Sequence, residues 1–227
     1  RPVGRADPVF WRAGGGMSLI DISVPLDANT PEWPGDTPFS CRWAWDMRRG
    51  DRVNVSCTTG SPHVGTHADA PLHVDLAWAG SDTLPLDAFV GAATVIDVRG
   101  RAGPIELAAL GVAGAAIAGG RLLLRTGRSI AGGGFPEDWP WPSDACVAAL
   151  LAGGLRLLGV AAPSVDARES ATLAVHRALF AGGACVLENL DLRAAPPGPY
   201  ELIAAPVRLV GLDAAPVRAV LRRPALP

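Results

Sequence analysis

The sequence predicts an α/β fold, a single domain with a large mixed β-sheet system. Three observations predict it. The 227 residues suit one domain. Strand-like apolar segments outnumber helical ones. No internal repeat or long linker divides the chain.

The elements follow in order. Residues 19–24 alternate like a strand, and the PEWPGDTP stretch at 31–38 is a turn-rich loop. Residues 39–45 and 52–59 read as two further strands, and 93–98 as an apolar one. Pro104 at a helix start leads into an Ala-rich helix over 105–118, stopped by Gly119 and Gly120. A strand over 122–125 and a loop over 132–142 come next. Ser143 is placed to cap a helix running through Leu151, with Gly153 and Gly154 beyond its end. A strand over 155–161, a helix over 169–180 and a strand over 184–190 follow; 200–210 and 216–221 close the chain as strands.

Charge and composition exclude several classes. The net charge is −2, spread along the chain without clusters, so neither a nucleic-acid groove nor a polybasic membrane patch is expected. The longest uncharged run, 107–120, is too short and too rich in Ala and Gly to span a bilayer. Residues 1–16 carry arginines but no continuous apolar segment; they read as a disordered extension ahead of a single domain at 17–227, not as a secretory signal. The four cysteines are widely spaced with no CxxC pair, which predicts reduced thiols in a cytoplasmic protein.

The chemistry concentrates in SPHVGTHADAPLH, residues 61–73. Three of the four histidines, His63, His67 and His73, fall here together with Asp69. Pro62, Gly65 and Pro71 argue against a helix. In an extended chain the odd-numbered His63, His67, Asp69 and His73 would all face one side, at least as far as Pro71. Imidazole and carboxylate together suit zinc or a similar divalent ion. A structural zinc site normally closes four protein ligands and favours Cys; this cluster has no Cys and a spare His, so a purely structural metal site is the weaker reading.

The pattern HxGTHxDAPxH resembles the signature of the metal-dependent cyclase family, and the similarity extends to the Trp33-Pro34-Gly35-Asp36 loop, the PSVD segment at 163–166 and the tail PPGPYELIAAPVRLVGLDAAPVRAVL. The loop and tail point to that family's bacterial formamidases. The resemblance implies a swivelling β/β/α fold, a homodimer and two Zn2+ per subunit, with Mn2+ as another candidate ion. It implies that His63 and His67 bind one ion, His176 the other, and that Asp69 and Glu188 bridge them. His73 is left unliganded as the general acid/base, and Trp33 becomes the platform for the substrate ring. Trp139 and Trp141 are weaker candidates for that role. The implied reaction is zinc-dependent hydrolysis of an aryl formamide, N-formyl-L-kynurenine, to L-kynurenine and formate in tryptophan degradation.

The sequence departs from the resemblance in two places. Ala161 and Ala162 stand where these formamidases usually carry Asp-Thr, and Arg177 stands where many relatives have a second His. The first departure leaves room for a rival on the same scaffold, a hydrolase opening a cyclic amide such as isatin.

Overall fold

The computed structural model describes residues 19–111 and 120–223. The expectations for 1–16 and for the distal part of the 105–118 helix therefore lie mostly outside the described residues. The strands are β1 (Leu19–Asp21), β2 (Ser40–Trp45), β3 (Val55–Thr59), β4 (His67–Asp69), β5 (Val90–Asp97), β6 (Pro104–Ile105), β7 (Arg121–Arg125), β8 (Trp141–Pro142), β9 (Leu157–Val160), β10 (Cys185–Glu188), β11 (Gly198–Ile203), β12 (Ala214–Pro216) and β13 (Val220–Arg222). Two α-helices, α1 (Asp144–Ala152) and α2 (Ala174–Ala181), accompany them among the described residues.

Nine of these strands form one sheet in the order β1-β13-β11-β5-β7-β9-β10-β4-β12. Its centre, β5-β7-β9-β10, is parallel, and antiparallel pairs flank it on both sides. The sheet curls: the chain just beyond β1 bridges Ser23 to Leu190, past the end of β10, and Val24 donates to Thr66 Oγ1 ahead of β4. Alternation along the central strands feeds two cores. Leu123, Leu157, Ala161 and Leu187 face one, with Phe89, Tyr200 and Leu202. Leu122, Leu124, Leu158, Val160 and Val186 face the other, against Val147 and Leu150 of α1 and Val175 and Leu179 of α2. At Gly159 the strand turns its missing side chain inward, where a Cβ would come within 2.5 Å of Leu123 Cδ2 and 2.9 Å of Leu190 Cδ1.

Several expected boundaries shift for local reasons. Pro104 does not open a helix. Pro104–Ile105 pairs with Trp141–Pro142, and Leu107–Leu110 makes only a 3-10 turn that stops at Gly111, φ 64°. The 169–180 helix starts only at Ala174, because the preceding residues form a turn through Leu173 at φ 51°. The 200–210 strand ends at Ile203, and the 216–221 strand is two elements with separate partners. β12 extends the β4 edge, and β13 lies between β1 and β11. Ser143 does cap α1, its Oγ accepting from Cys146 N at 3.1 Å. All four cysteines are free thiols. Among the described residues, no helix is long and apolar enough to cross a membrane.

Candidate metal centre and catalytic cavity

Only the middle of the histidine motif is a strand. His67 and Asp69 sit two apart on β4 and share a face, between β10 and β12. The expected single extended face stops there. His63 reaches the same place through a turn at Gly65, φ 75°, where a Cβ would lie 2.4 Å from Leu26 Cδ2. His73 arrives after the chain tightens into a 3-10 turn over Pro71–His73. Glu188 ends β10 directly opposite His67, and His176 comes from the first turn and a half of α2.

These segments bring five of the predicted residues together. Asp69 Oδ1 lies 3.0 Å from His63 Nδ1 and 3.2 Å from His67 Nε2, while its Oδ2 lies 3.2 Å from His176 Nε2. Glu188 spans the same gap from the other strand: Oε1 is 3.2 Å from His176 Nε2 and Oε2 is 3.6 Å from His67 Nε2. Asp69 is fully buried, and His67, His176 and Glu188 nearly so.

Each imidazole is held from behind. His67 Nδ1 lies 2.9 Å from the Gly65 carbonyl, an acceptor, so Nδ1 carries the proton and Nε2 presents a lone pair. His176 Nδ1 is 2.6 Å from Asp166 Oδ2, and His63 Nε2 is 2.9 Å from Asp213 Oδ2. The opposite nitrogens all point at Asp69 or Glu188. His67 Nε2 and Asp69 Oδ1 are buried without a hydrogen-bond partner. Lone pairs facing carboxylates in a desolvated space repel unless a cation lies between them.

A proton meets the same demand. Burial opposes a charged His176, but hydrogen bonds to Asp166, Asp69 and Glu188 outweigh it and hold its pKa well above the usual value. Burial likewise opposes a charged His63, and Asp213 and Asp69 push its pKa up to about 10. Asp69 is held well below the normal carboxylate range, burial being overcome by His67, His176 and His63. The donor set therefore fits a divalent cation: two groups of three, His63/His67/Asp69 and Asp69/His176/Glu188, each have ligand atoms within 4.8 Å of one another.

His73 belongs to neither of these and forms a third, half-buried group with His63 and Asp213. Its ring is 4.5 Å from that of His63, and its Nδ1 lies 3.5 Å from Asp213 Oδ2. It lines a cavity of about 340 Å3 together with Trp33, Phe135, Ser164, Asn189 and the inward faces of His63, His67, His176 and Glu188. Trp33 packs edge-on against Phe135, centroids 5.4 Å apart, and against Trp139 at 5.9 Å. Trp139 itself is buried in the core and donates from Nε1 to the Asp166 carbonyl; Trp141 packs against the same core.

Sequence reasoning assigned no role to Asp166, Asp213, Phe135 or Asn189. Asp166 was visible only within PSVD, and Asp213 only within the tail. Phe135 and Asn189 carry no local signal, although Asn189 takes the left-handed conformation, φ 55°. The departures resolve differently. Ala161 and Ala162 are buried and neither lines this cavity. Arg177 donates from Nη2 to the Val74 carbonyl and from Nε to the Thr172 carbonyl at 3.1 Å, tying α2 to the turn that carries His73.

A curled mixed sheet whose paired strands present histidines and carboxylates to a shared cavity is the architecture of a class of metal-dependent hydrolases. A Bacillus stearothermophilus protein described as a predicted metal-dependent hydrolase superposes with a TM-score of 0.75 at 25% identity, over 92% of this chain and all of that one. Isatin hydrolase A from Ralstonia solanacearum shares the fold, with a TM-score of 0.75 at 22% identity and 92% of each chain covered. The chain belongs to the Cyclase family, whose profile matches residues 20–167. It is 44% identical to the kynurenine formamidase of Salinibacter ruber (strain DSM 13855 / M31) over 216 residues, 91% of this chain and 98% of that protein.

Proposed function

We propose that this protein hydrolyses the formamide of N-formyl-L-kynurenine to L-kynurenine and formate, within tryptophan degradation. One observation carries the reading: three back-bonded imidazoles and two carboxylates converge at the floor of a cavity whose wall is aromatic. The likeness to a kynurenine formamidase selects the substrate.

In this reading His63, His67, Asp69, His176 and Glu188 would hold the divalent ions, two per subunit. Zn2+ is the proposed ion, with Mn2+ as the other candidate. When bound, such ions supply Lewis acidity toward the formyl oxygen and lower the pKa of water. The remaining steps belong to side chains. His73 accepts the proton of the attacking water and returns it to the departing aniline nitrogen, a role worth on the order of a hundred- to ten-thousand-fold. Asp213 orients the His73 ring through Nδ1. Trp33 and Phe135, packed edge-on against each other, form one aromatic wall against which the aryl ring would lie, excluding water from that face.

The protein is further proposed to be a cytoplasmic homodimer. The β2–β3 hairpin supports a second copy as partner, because Trp45, Met47, Val53 and Val55 lie exposed on it. The four free thiols fit a reducing compartment.

The rival, opening of a cyclic amide such as isatin, drew on Ala161 and Ala162, and their position away from the cavity removes that support. The deciding experiment incubates zinc-loaded protein with N-formyl-L-kynurenine and, in parallel, with isatin. Kynurenine absorbance should rise with the first substrate. Turnover of isatin alone would overturn the assignment.

A further inference from the structure

A second cavity, about 220 Å3, opens near the carboxyl ends of β5, β7 and β9. Arg99, Arg125, Ser129, Ala161, Leu192 and Arg193 line it. The charges in this wall do not balance. Arg99 grips Asp97 with two prongs, Nε to Oδ1 at 2.9 Å and Nη2 to Oδ2 at 2.6 Å. Arg193 grips Asp191 in the same way, at 2.8 Å on each prong. Three guanidinium groups thus face two committed carboxylates.

The excess charge falls on Arg125, the least exposed of the three at 17%. A guanidinium has five N–H donors. Arg125 places Nη2 3.0 Å from the Arg193 carbonyl, and its other facing acceptor, Asp97 Oδ2, stands 3.9 Å from Nη1 and is already taken by Arg99. Its remaining N–H groups open onto the cavity, and none of them is buried without a partner, so they are free to give to solvent or to a bound anion. Ser129 adds a further donor: its Oγ accepts from Ala131 N at 3.2 Å, which leaves the hydroxyl proton to give. Ala161, buried in the same wall, contributes no charge.

We infer that this cavity binds a compact oxyanion, a carboxylate or phosphate group, with Arg125 as its principal anchor. The planar guanidinium fork matches both groups. The site is separate from the proposed metal centre and stands whether or not the formamidase reading holds.

Thermal unfolding of the metal-loaded protein at constant ionic strength tests it, with inorganic phosphate or acetate as probe and chloride as reference. The wild-type midpoint should climb saturably, by roughly 5–10 °C at about a hundred times the Kd. Whichever probe gives the larger shift identifies the group. Arg125→Gln should lose the shift. Ala161→Asp should lose it too, whatever its starting midpoint, because the new carboxylate takes the donors of Arg125 that the anion would use. An anion held at the metal centre would stabilise all three proteins alike, so equal shifts overturn the inference, as does no shift in the wild type. If Arg125→Gln does not fold, Ala161→Asp alone decides.

Discussion

Asp166 Oδ2 lies 2.6 Å from His176 Nδ1, and the same carboxylate accepts from the backbone N–H groups of Val175 and His176 at 3.0 and 3.1 Å. One side chain therefore starts α2 and aims the histidine that α2 carries. Asn at this position keeps the volume but loses the charge and half of the acceptor capacity. Asp166→Asn should weaken metal binding about 10- to 100-fold, in line with other residues that orient a ligating histidine. Competition against a chromophoric chelator measures it, and circular dichroism should show the fold retained.

His73 faces the cavity and groups with His63 and Asp213, outside the two groups assigned to the ions. His73→Ala should keep its full metal content while kcat falls on the order of a hundred- to ten-thousand-fold. Metal analysis beside steady-state kinetics separates the outcomes. Loss of metal in proportion to activity would make His73 a ligand.

Stripped of metal, the protein should acquire a characteristic pH dependence of stability. The folded-state pKa of His63 is pushed up to about 10 by Asp213 and Asp69 against the opposing effect of burial. Its contribution is therefore complete below the unfolded pKa near 6.5 and disappears as pH rises toward 10. Asp213 is pulled down to about 2, chiefly by its hydrogen bond to His63, so its contribution is complete above pH about 4 and is lost as pH falls through 2. Denaturant melts of the chelated protein should show greatest stability between about pH 4 and 6.5 from this pair. The loaded protein should not weaken between 6.5 and 10, because the ligand nitrogens then carry metal in place of protons.

Gly159 sets the spacing of the central parallel strands against the inner core. Gly159→Ala drives a Cβ to 2.5 Å from Leu123 Cδ2 and 2.9 Å from Leu190 Cδ1. Overpacking of this kind should destabilise the fold by about 1–3 kcal/mol, read as a lowered midpoint in urea with an unchanged slope.

Arg177 ties α2 to the Val74 carbonyl beside His73. Arg177→Ala should leave the metal bound and the fold intact but lower kcat more than it raises KM, since only the placement of His73 is loosened. A change confined to KM would refute that role.

Much of the site was legible in the chain because its residue types are rare there. Three of four histidines within eleven residues, with Asp69 among them, have little other explanation. The α1 cap was legible for a similar reason: Ser143 satisfies α1 with atoms only three residues away. Local sequence misled where partners are distant. Pro104 carries a helix-start signal, yet Trp141 and Pro142 recruit it into a short pair. The tail was read as continuous at 216–221, but its two halves bond to opposite parts of a curled sheet.

By itself, then, the sequence marked His63, His67, Asp69 and His73 as a candidate metal cluster, because metal-binding chemistry depends on which donor atoms are present and β4 brings His67 and Asp69 to one face at period two; His176 and Glu188 joined it only through the family resemblance. Only the tertiary structure decided the rest. The positioning carboxylates Asp166 and Asp213 lie 10 and 150 residues from the histidines they hold. The aromatic wall joins Trp33 to Phe135 across about a hundred residues of chain, and the surplus of donors at Arg125 is apparent only once Arg99 and Arg193 are seen to hold their own carboxylates. Such relations depend on through-space distance, and a curled sheet with crossovers sets that distance independently of separation along the chain.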